Sequence, residues 1–591
     1  MNAEMQRARH RQMFIFLLVT AGMLILLGRL YYWQILQSHS GYNLAQLAQD
    51  EHLQNQILDA PRGLIYDSTG HVLATNVIRD DVYIEPVQYS IDHPNYTQND
   101  LQTLVTQLHQ ALPAVPVAML QNAFSTGIAR GQWAVRVAIG ISDQQSQQLQ
   151  NLQLPDVFLQ PRTWRTYPGG TLAAQILGFV TQNDTDNHGM YGIEKQYDTL
   201  LQGKPGSFTA ETDLQGNPLT FGPDSEQQPV SGANLTLTID STMQNMLQNA
   251  LANAVKQLQA ESGTVVVLDA RTGAVVAMAG YPTFDPNNYG NYANQLGCLN
   301  SEGVYLNPAI DCDYEPGSTM KAVTMSAGLN QGLITPNTTL NDQGCMSFND
   351  APTVCNWQDL AYGTETMTGV LIHSANVGAA YVAHNILGAS RYYPYLQQFG
   401  FGQYTGIADG PEDAGSYRQP GDANWTISDL TRQAFGQSIL ASPLQVAMVY
   451  QTIANSGVLM QPYLLSSIDQ NGHVTQIQPT VKRRVISTHA AQLLTGMLEQ
   501  AAVKGFAQLA QVPGYSIAAK TGTATTQGIS DTQTEASVVG FIPASNPRFV
   551  ILVKLDRPQK AIYGSTAAAP LWGTIAQQLV WYYNVPPDLP L

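Results

Sequence analysis

The sequence predicts an α+β chain: one N-terminal membrane-spanning helix, then a region of strands and turns, then a domain in which one sheet is flanked by helices. Three observations carry this. Met13 to Gly28, MFIFLLVTAGMLILLG, runs almost without polarity. From Asn234 the residues Leu235-Thr236-Leu237-Thr238-Ile239 alternate as a half-buried strand does, and a helical pattern follows through about residue 259. Gly263 to Asp269 and Ala274 to Ala279 then read as an apolar hairpin, Phe549 to Val553 as a further strand, and Ala569 to Val580 as a closing helix. Strands at both ends with helices between them imply one sheet covered by helices.

The apolar run bounds the first element. A spanning helix needs about 20 residues, so residues 13–33 suffice if Arg29 snorkels and Tyr31, Tyr32 and Trp33 form an interfacial anchor. Arg7, Arg9 and Arg11 precede the span, which predicts a cytoplasmic tail over residues 1–12 and an extracytoplasmic remainder. A cleaved signal peptide is the rival reading. No small-x-small site follows the run directly, which favours an uncleaved anchor.

The next region is predicted over residues 34–233. Residues 34 to about 58 read as a Gln-rich polar helix continuing outward, and Asp59 to Asp67 open a turn-rich, strand-like stretch. Residues 98 to 155 look helical, and residues 205 to 234 read as a Pro/Gly/polar connector broken by short strands. The last domain is predicted over residues 234–591.

Length and composition agree with several domains. The chain has 591 residues, 44% of them hydrophobic, which is enough for substantial cores. Only 12% are charged and the formal net charge is −16, which argues against a nucleic-acid partner, since that needs basic surface. The four cysteines, Cys298, Cys312, Cys345 and Cys355, lie on the predicted outer side, where disulfides persist. Proximity suggests Cys298 with Cys312 and Cys345 with Cys355, although four cysteines allow three pairings. Without a C-x-x-C or clustered histidines, a zinc site is not expected.

Chemistry concentrates in three short motifs. Ser318-Thr319-Met320-Lys321 places a hydroxyl and an amine three residues apart, one above the other on a helix. Pro316-Gly317 lets such a helix start near Ser318. A lysine removed from water loses its proton more easily, so the pair can act as nucleophile and base. Ser-x-x-Lys recurs by chance as a capped helix with a solvated lysine. Here, however, Lys321 is the only one of the nine lysines with a serine three residues before it. Ser374-Ala375-Asn376 is the second motif. Lys520-Thr521-Gly522-Thr523 is the third and continues a strand-like run from Tyr515, so Lys520 and Gly522 share one face and Thr521 and Thr523 the other. Gly522 lets a ligand approach the backbone closely.

Ser-x-x-Lys, Ser-x-Asn and Lys-Thr-Gly in this order resemble the set of penicillin-binding proteins and serine β-lactamases. The chain is similar to a class B penicillin-binding protein along nearly all its length. Arg62 to Asp67, Tyr167 to Gly170, Gly192 to Asp198, Phe284 to Asn287, Tyr314 to Ser318, Phe435 to Gln437, Pro443 to Gln445 and Tyr563 to Pro570 carry the match. The resemblance implies an elongated, mostly-β pedestal and a transpeptidase domain built on a central antiparallel sheet. It further implies a peptidoglycan D,D-transpeptidase, with Ser318 as nucleophile, Lys321 as base and Ser374 as proton relay. Lys520 would tune the relay and Asn376 would hold Lys321 and the substrate amide. Thr521 and Thr523 would bind the substrate carboxylate, with Gly522 between them as a further substrate-binding residue. The implied partners are stem peptides, β-lactams, membrane lipid, a membrane glycan polymerase and divisome proteins, with no metal or cofactor.

The resemblance favours the division type over the elongation type. A carboxypeptidase or β-lactamase would pass the acyl group to water, and a β-lactam sensor or structural divisome protein would turn over little. The pedestal and anchor disfavour the first, and a tail of about a dozen residues disfavours a sensor. Three departures stand out: a long Asn288–Ile310 stretch, Pro308 in place of a basic residue, and Ser438 in place of glycine.

Overall fold

In a computed structural model of the chain, residues 2–32, 53–181, 187–211, 224–298, 303–408, 412–525 and 533–590 are described. They form two compact units: residues 1–61 with 203–231, and residues 62–202 with 232–591.

The first unit holds a helix over Asn2–Tyr31 and a three-stranded antiparallel ladder of Leu53–Leu58, Gly206–Glu211 and Asp224–Gln227. Met5–Tyr31 is long and apolar enough to cross a membrane, the one such helix among the described residues, and its side chains are exposed. Within the predicted tail over residues 1–12, Asn2 onward is helical and runs continuously into the apolar stretch. Trp33 and most of the predicted polar helix lie outside the described residues. Its end is corrected: Leu53–Leu58 is a strand, fixed by pairing Leu53 through Leu58 against Glu211 through Gly206. Long-range pairing of this kind overrides a weak local helix preference.

The described residues of the second unit contain two large sheets and several two-stranded ladders. One large sheet has seven strands, in which Val72–Ile84 pairs Ile65–Tyr66, Val135–Ile141 and Val157–Thr166, while Asn234–Leu237 joins Ile65–Tyr66 in parallel and Leu465–Gln470 antiparallel. The helical expectation for residues 98–155 holds for Gln98–Ala111, Val117–Arg130 and Asp143–Leu152. Val135–Ile141 is instead a strand, because Val-Arg-Val-Ala-Ile alternates and the edge of Val72–Ile84 is there to pair with. Glu194 ties this region together. It is fully buried, accepts from Arg62 Nε at 2.8 Å and Arg165 Nε at 2.7 Å, and also receives the Tyr167 hydroxyl at 3.2 Å.

The other sheet has five antiparallel strands: β1 Ser262–Asp269, β2 Val275–Tyr281, β3 Ala518–Thr525, β4 Thr534–Ile542 and β5 Phe549–Asp556, in the order β2-β1-β5-β4-β3. Both faces are covered, which explains why the strands read as apolar runs. Val266 and Leu268 of β1 pack into one core with the helices Lys321–Asn330, Pro443–Ala454 and Thr488–Lys504. Val265 and Val267 point the other way, into a core shared with Ser241–Leu258 and Ala568–Tyr582. β3 is an edge strand, so one side of it is free to border a cleft.

Two disulfides join Cys298 to Cys312 and Cys345 to Cys355. Pro308 has a local reason. It opens a short helix, Pro308–Asp311, whose Asn307 side chain accepts from Ala309 N, and proline suits that first position because its missing N–H would have no partner there.

Candidate active site

The Ser318 turn is tighter than an α-helix. Gly317–Met320 forms a 3₁₀ turn, and the α-helix proper starts at Lys321. At three residues per turn, side chains i and i+3 eclipse, which sets the Lys321 side chain directly over Ser318. Gly317 adopts φ +57 to enter the turn. Its N–H donates to Gly436 O at 3.0 Å, and a Cβ on Gly436 would lie 2.1 Å from Gly317 O. Phe435-Gly436-Gln437 is thus a close-packed seat for the turn. Next to it, Ser438 adopts φ +54 and its N–H donates to Glu315 Oε1 at 2.8 Å, which explains why glycine suits this position.

Lys321 is fully buried. Its Nζ lies 2.9 Å from Ser318 Oγ, 2.8 Å from Asn376 Oδ1 and 3.2 Å from Ser374 Oγ, and it also reaches Ser374 O. The carbonyl and the amide oxygen can only accept. They therefore take two N–H bonds, and a neutral amine keeps its lone pair for the Ser318 hydroxyl proton. Burial pushes the Lys321 amine well below the usual lysine range, the charge of Lys520 adds to this, and Glu365 opposes it.

Ser374 stands between two amines. Lys520 Nζ donates to its Oγ at 2.9 Å. Burial lowers Lys520 to about 7. Ser374 itself sits at φ +58, a strained conformation for a residue with a side chain. Asn376 opens the helix Asn376–Tyr381.

Gly522 faces the Ser318 turn: a Cβ there would lie 2.7 Å from Pro316 O and 3.1 Å from Thr319 Cγ2. Thr521 and Thr523 line the cleft, and the Thr523 hydroxyl accepts from Gly564 N at 3.0 Å. The cleft has a volume of about 360 Å³ and also contains Ser318, Ser374 and Asn376. All eight motif residues expected from the sequence thus meet at one place. Among the described residues, the cysteines form no metal cluster beyond the disulfide-bonded Cys345 and Cys355 with Asp359.

Sequence reasoning missed part of the wall. His373 lies in the cleft with Nδ1 at 2.5 Å from Glu365 Oε1 and its ring stacked 4.4 Å from that of Tyr362. Burial raises Glu365, and His373 opposes that rise. Trp357 and Tyr563, edge to face at 5.9 Å, and Phe506 add apolar surface. Adjacency to Ser374 was the only signal for His373, and Tyr563 stood only as the first residue of a matching stretch; none marked Trp357 or Phe506.

Residues 263–578 match the penicillin binding protein transpeptidase domain, and residues 57–237 match the penicillin-binding protein dimerisation domain. The chain is 34% identical to penicillin-binding protein PbpB of Mycolicibacterium smegmatis over 455 residues, 73% of this chain and 67% of that protein. It is 28% identical to peptidoglycan D,D-transpeptidase FtsI of Escherichia coli, covering 95% of this chain and 90% of that one. The crystal structure of penicillin binding protein 3 from Mycobacterium tuberculosis complexed with aztreonam superposes with a TM-score of 0.66 at 28% identity, over 91% of this chain and 99% of the other.

Proposed function

The chain belongs to the class B penicillin-binding proteins, and from that membership we propose a membrane-anchored peptidoglycan D,D-transpeptidase of septal wall synthesis that β-lactams acylate as substrate mimics. The observation that carries this reading is the environment of Lys321 Nζ, 2.9 Å from Ser318 Oγ, with two acceptor-only oxygens, Ser374 O and Asn376 Oδ1, as its nearest other partners.

Lys321 takes the hydroxyl proton as Ser318 Oγ attacks the penultimate D-Ala carbonyl. The peptide C–N bond breaks and the departing D-Ala amine receives a proton through Ser374, whose hydroxyl Lys520 polarises. Asn376 holds Lys321 and the substrate amide. Thr521 and Thr523 bind the terminal carboxylate beside Gly522, and the backbone amides of Ser318 and Thr523 receive the oxyanion. The amine of a second stem peptide then attacks the ester carbon, and Ser318 regains its proton.

Arg7, Arg9 and Arg11 favour a cytoplasmic N-terminus, which puts the cleft outside the cell membrane. There the anchor and pedestal would contact a membrane glycan polymerase and divisome proteins.

Fluorescent penicillin tests the reading. Wild type is expected to be labelled and Ser318→Ala is not; an unlabelled wild type overturns it. Stem peptide incubated with an amine acceptor should yield the cross-linked product, whereas release of D-Ala alone would point to a hydrolase.

A further inference from the structure

Asn376 is held from behind by a loop that a disulfide closes. Cys345 and Cys355 face each other across a two-stranded ladder, and Asn356 N donates to Gly344 O at 2.8 Å. From this clasp the Cys355 carbonyl accepts from Asn376 Nδ2 at 3.2 Å. Asn356 braces the same spot: its Oδ1 accepts from Val377 N at 3.0 Å, and its Nδ2 donates to Asp342 Oδ2 at 2.8 Å and Leu360 O at 2.9 Å. Asn356 and Trp357, next along the chain, already line the cleft.

The two ends of a primary amide are nearly equal in shape and opposite in hydrogen bonding. A carbonyl can only accept, so Cys355 O draws Nδ2 toward itself and leaves Oδ1 for Lys321 Nζ. Turned over, the amide would present N–H to the amine. A donor there would occupy the lone pair that the Ser318 proton needs.

We propose that the Cys345–Cys355 disulfide is a positioning element for Asn376, and that reducing it slows acylation of Ser318 without unfolding the domain. The proposal rests on Lys321 acting as base. A dithiol such as dithiothreitol converts the disulfide to two thiols and is itself oxidised to a cyclic disulfide, so the exchange balances.

The test uses the full chain and the rate of fluorescent-penicillin acylation, oxidised and after dithiothreitol. Loss of the disulfide should lower the rate on the order of tenfold, as small misplacements near reacting groups do, and re-oxidation should restore it. Cys345→Ser with Cys355→Ser should lower it equally and abolish the response to dithiothreitol, while Cys298→Ser with Cys312→Ser should keep that response. In an Asn376→Ala background the disulfide should no longer matter, since its effect runs through that amide. A rate unchanged by reduction overturns the proposal. So does a loss of equal size in the Asn376→Ala background, and so does loss of the cooperative thermal transition on reduction, because the disulfide would then hold the fold rather than the amide. An oxidised wild type that penicillin does not label sinks the transpeptidase reading instead.

Discussion

Lys520 Nζ donates to Ser374 Oγ across 2.9 Å, although the two residues are 146 apart in the chain. The same hydroxyl lies 3.2 Å from Lys321 Nζ, so one serine links two buried amines. Edge strand β3 brings Lys520 from one side, and the bend at Ser374, with its positive φ, turns the hydroxyl toward it from the other. Neither lysine sits in water, and both are lowered from the usual lysine range.

That depression fixes a pH dependence. Acylation needs Lys321 as a free amine, so the rate rises as pH climbs through its pKa. Because the folded value lies well below 10.5, the rising limb should fall well below the pH at which an ordinary lysine deprotonates. Lys520→Met removes a positive charge that lowers Lys321, so the residual limb should move to higher pH. Penicillin acylation rates measured across the pH range check both; a rate that stays flat until about pH 10 contradicts the assignment of base.

Gly522 should tolerate no side chain. A Cβ would lie 2.4 Å from Ser537 Oγ and 2.7 Å from the Pro316 carbonyl, and the carbonyl belongs to the backbone leading into the Ser318 turn. Gly522→Ala should push β3 off that turn, cutting acylation by about 10–100-fold and stability by about 1–3 kcal/mol. Acylation kinetics and thermal unfolding measure the two effects.

Ser438 takes a left-handed conformation that favours glycine. Ser438→Gly should leave stability within about 0.5 kcal/mol, since the relief of strain is offset by a freer unfolded chain. Ser438→Val should cost about 1–2 kcal/mol, because a β-branched side chain fits that conformation poorly. Denaturant unfolding of the two variants distinguishes them.

Glu194→Gln should be among the most destabilising single changes in residues 62–202. It leaves the Arg62 and Arg165 guanidiniums beside a neutral amide in a buried setting, and breaking such a pair costs about 3–5 kcal/mol. Glu194 does not line the cleft, so penicillin labelling per folded molecule should persist while the thermal transition falls.

Much of this architecture was legible in the chain. The hairpin β1–β2, the strand β5 and the closing helix all follow from apolar runs bounded by turn residues. The strands Leu53–Leu58 and Val135–Ile141 were not, because Gln-rich and mixed stretches take their structure from partners distant in sequence. His373 with Glu365, and Asn356 behind Asn376, were hidden for the same reason: hydrogen-bond partners 8 and 21 residues away leave no local period.

The sequence by itself determined which groups could do the chemistry: a serine and lysine at a spacing that one tight turn aligns, a second serine and asparagine, and a lysine followed by glycine on a strand. The tertiary structure alone decided that Lys321 is stripped of water and that Ser374 and Lys520 reach each other. It also decided that Asn376 turns its oxygen toward the amine. Desolvation and hydrogen-bond direction arise from packing between distant segments, so a spacing of residues can propose a base but only burial removes its proton.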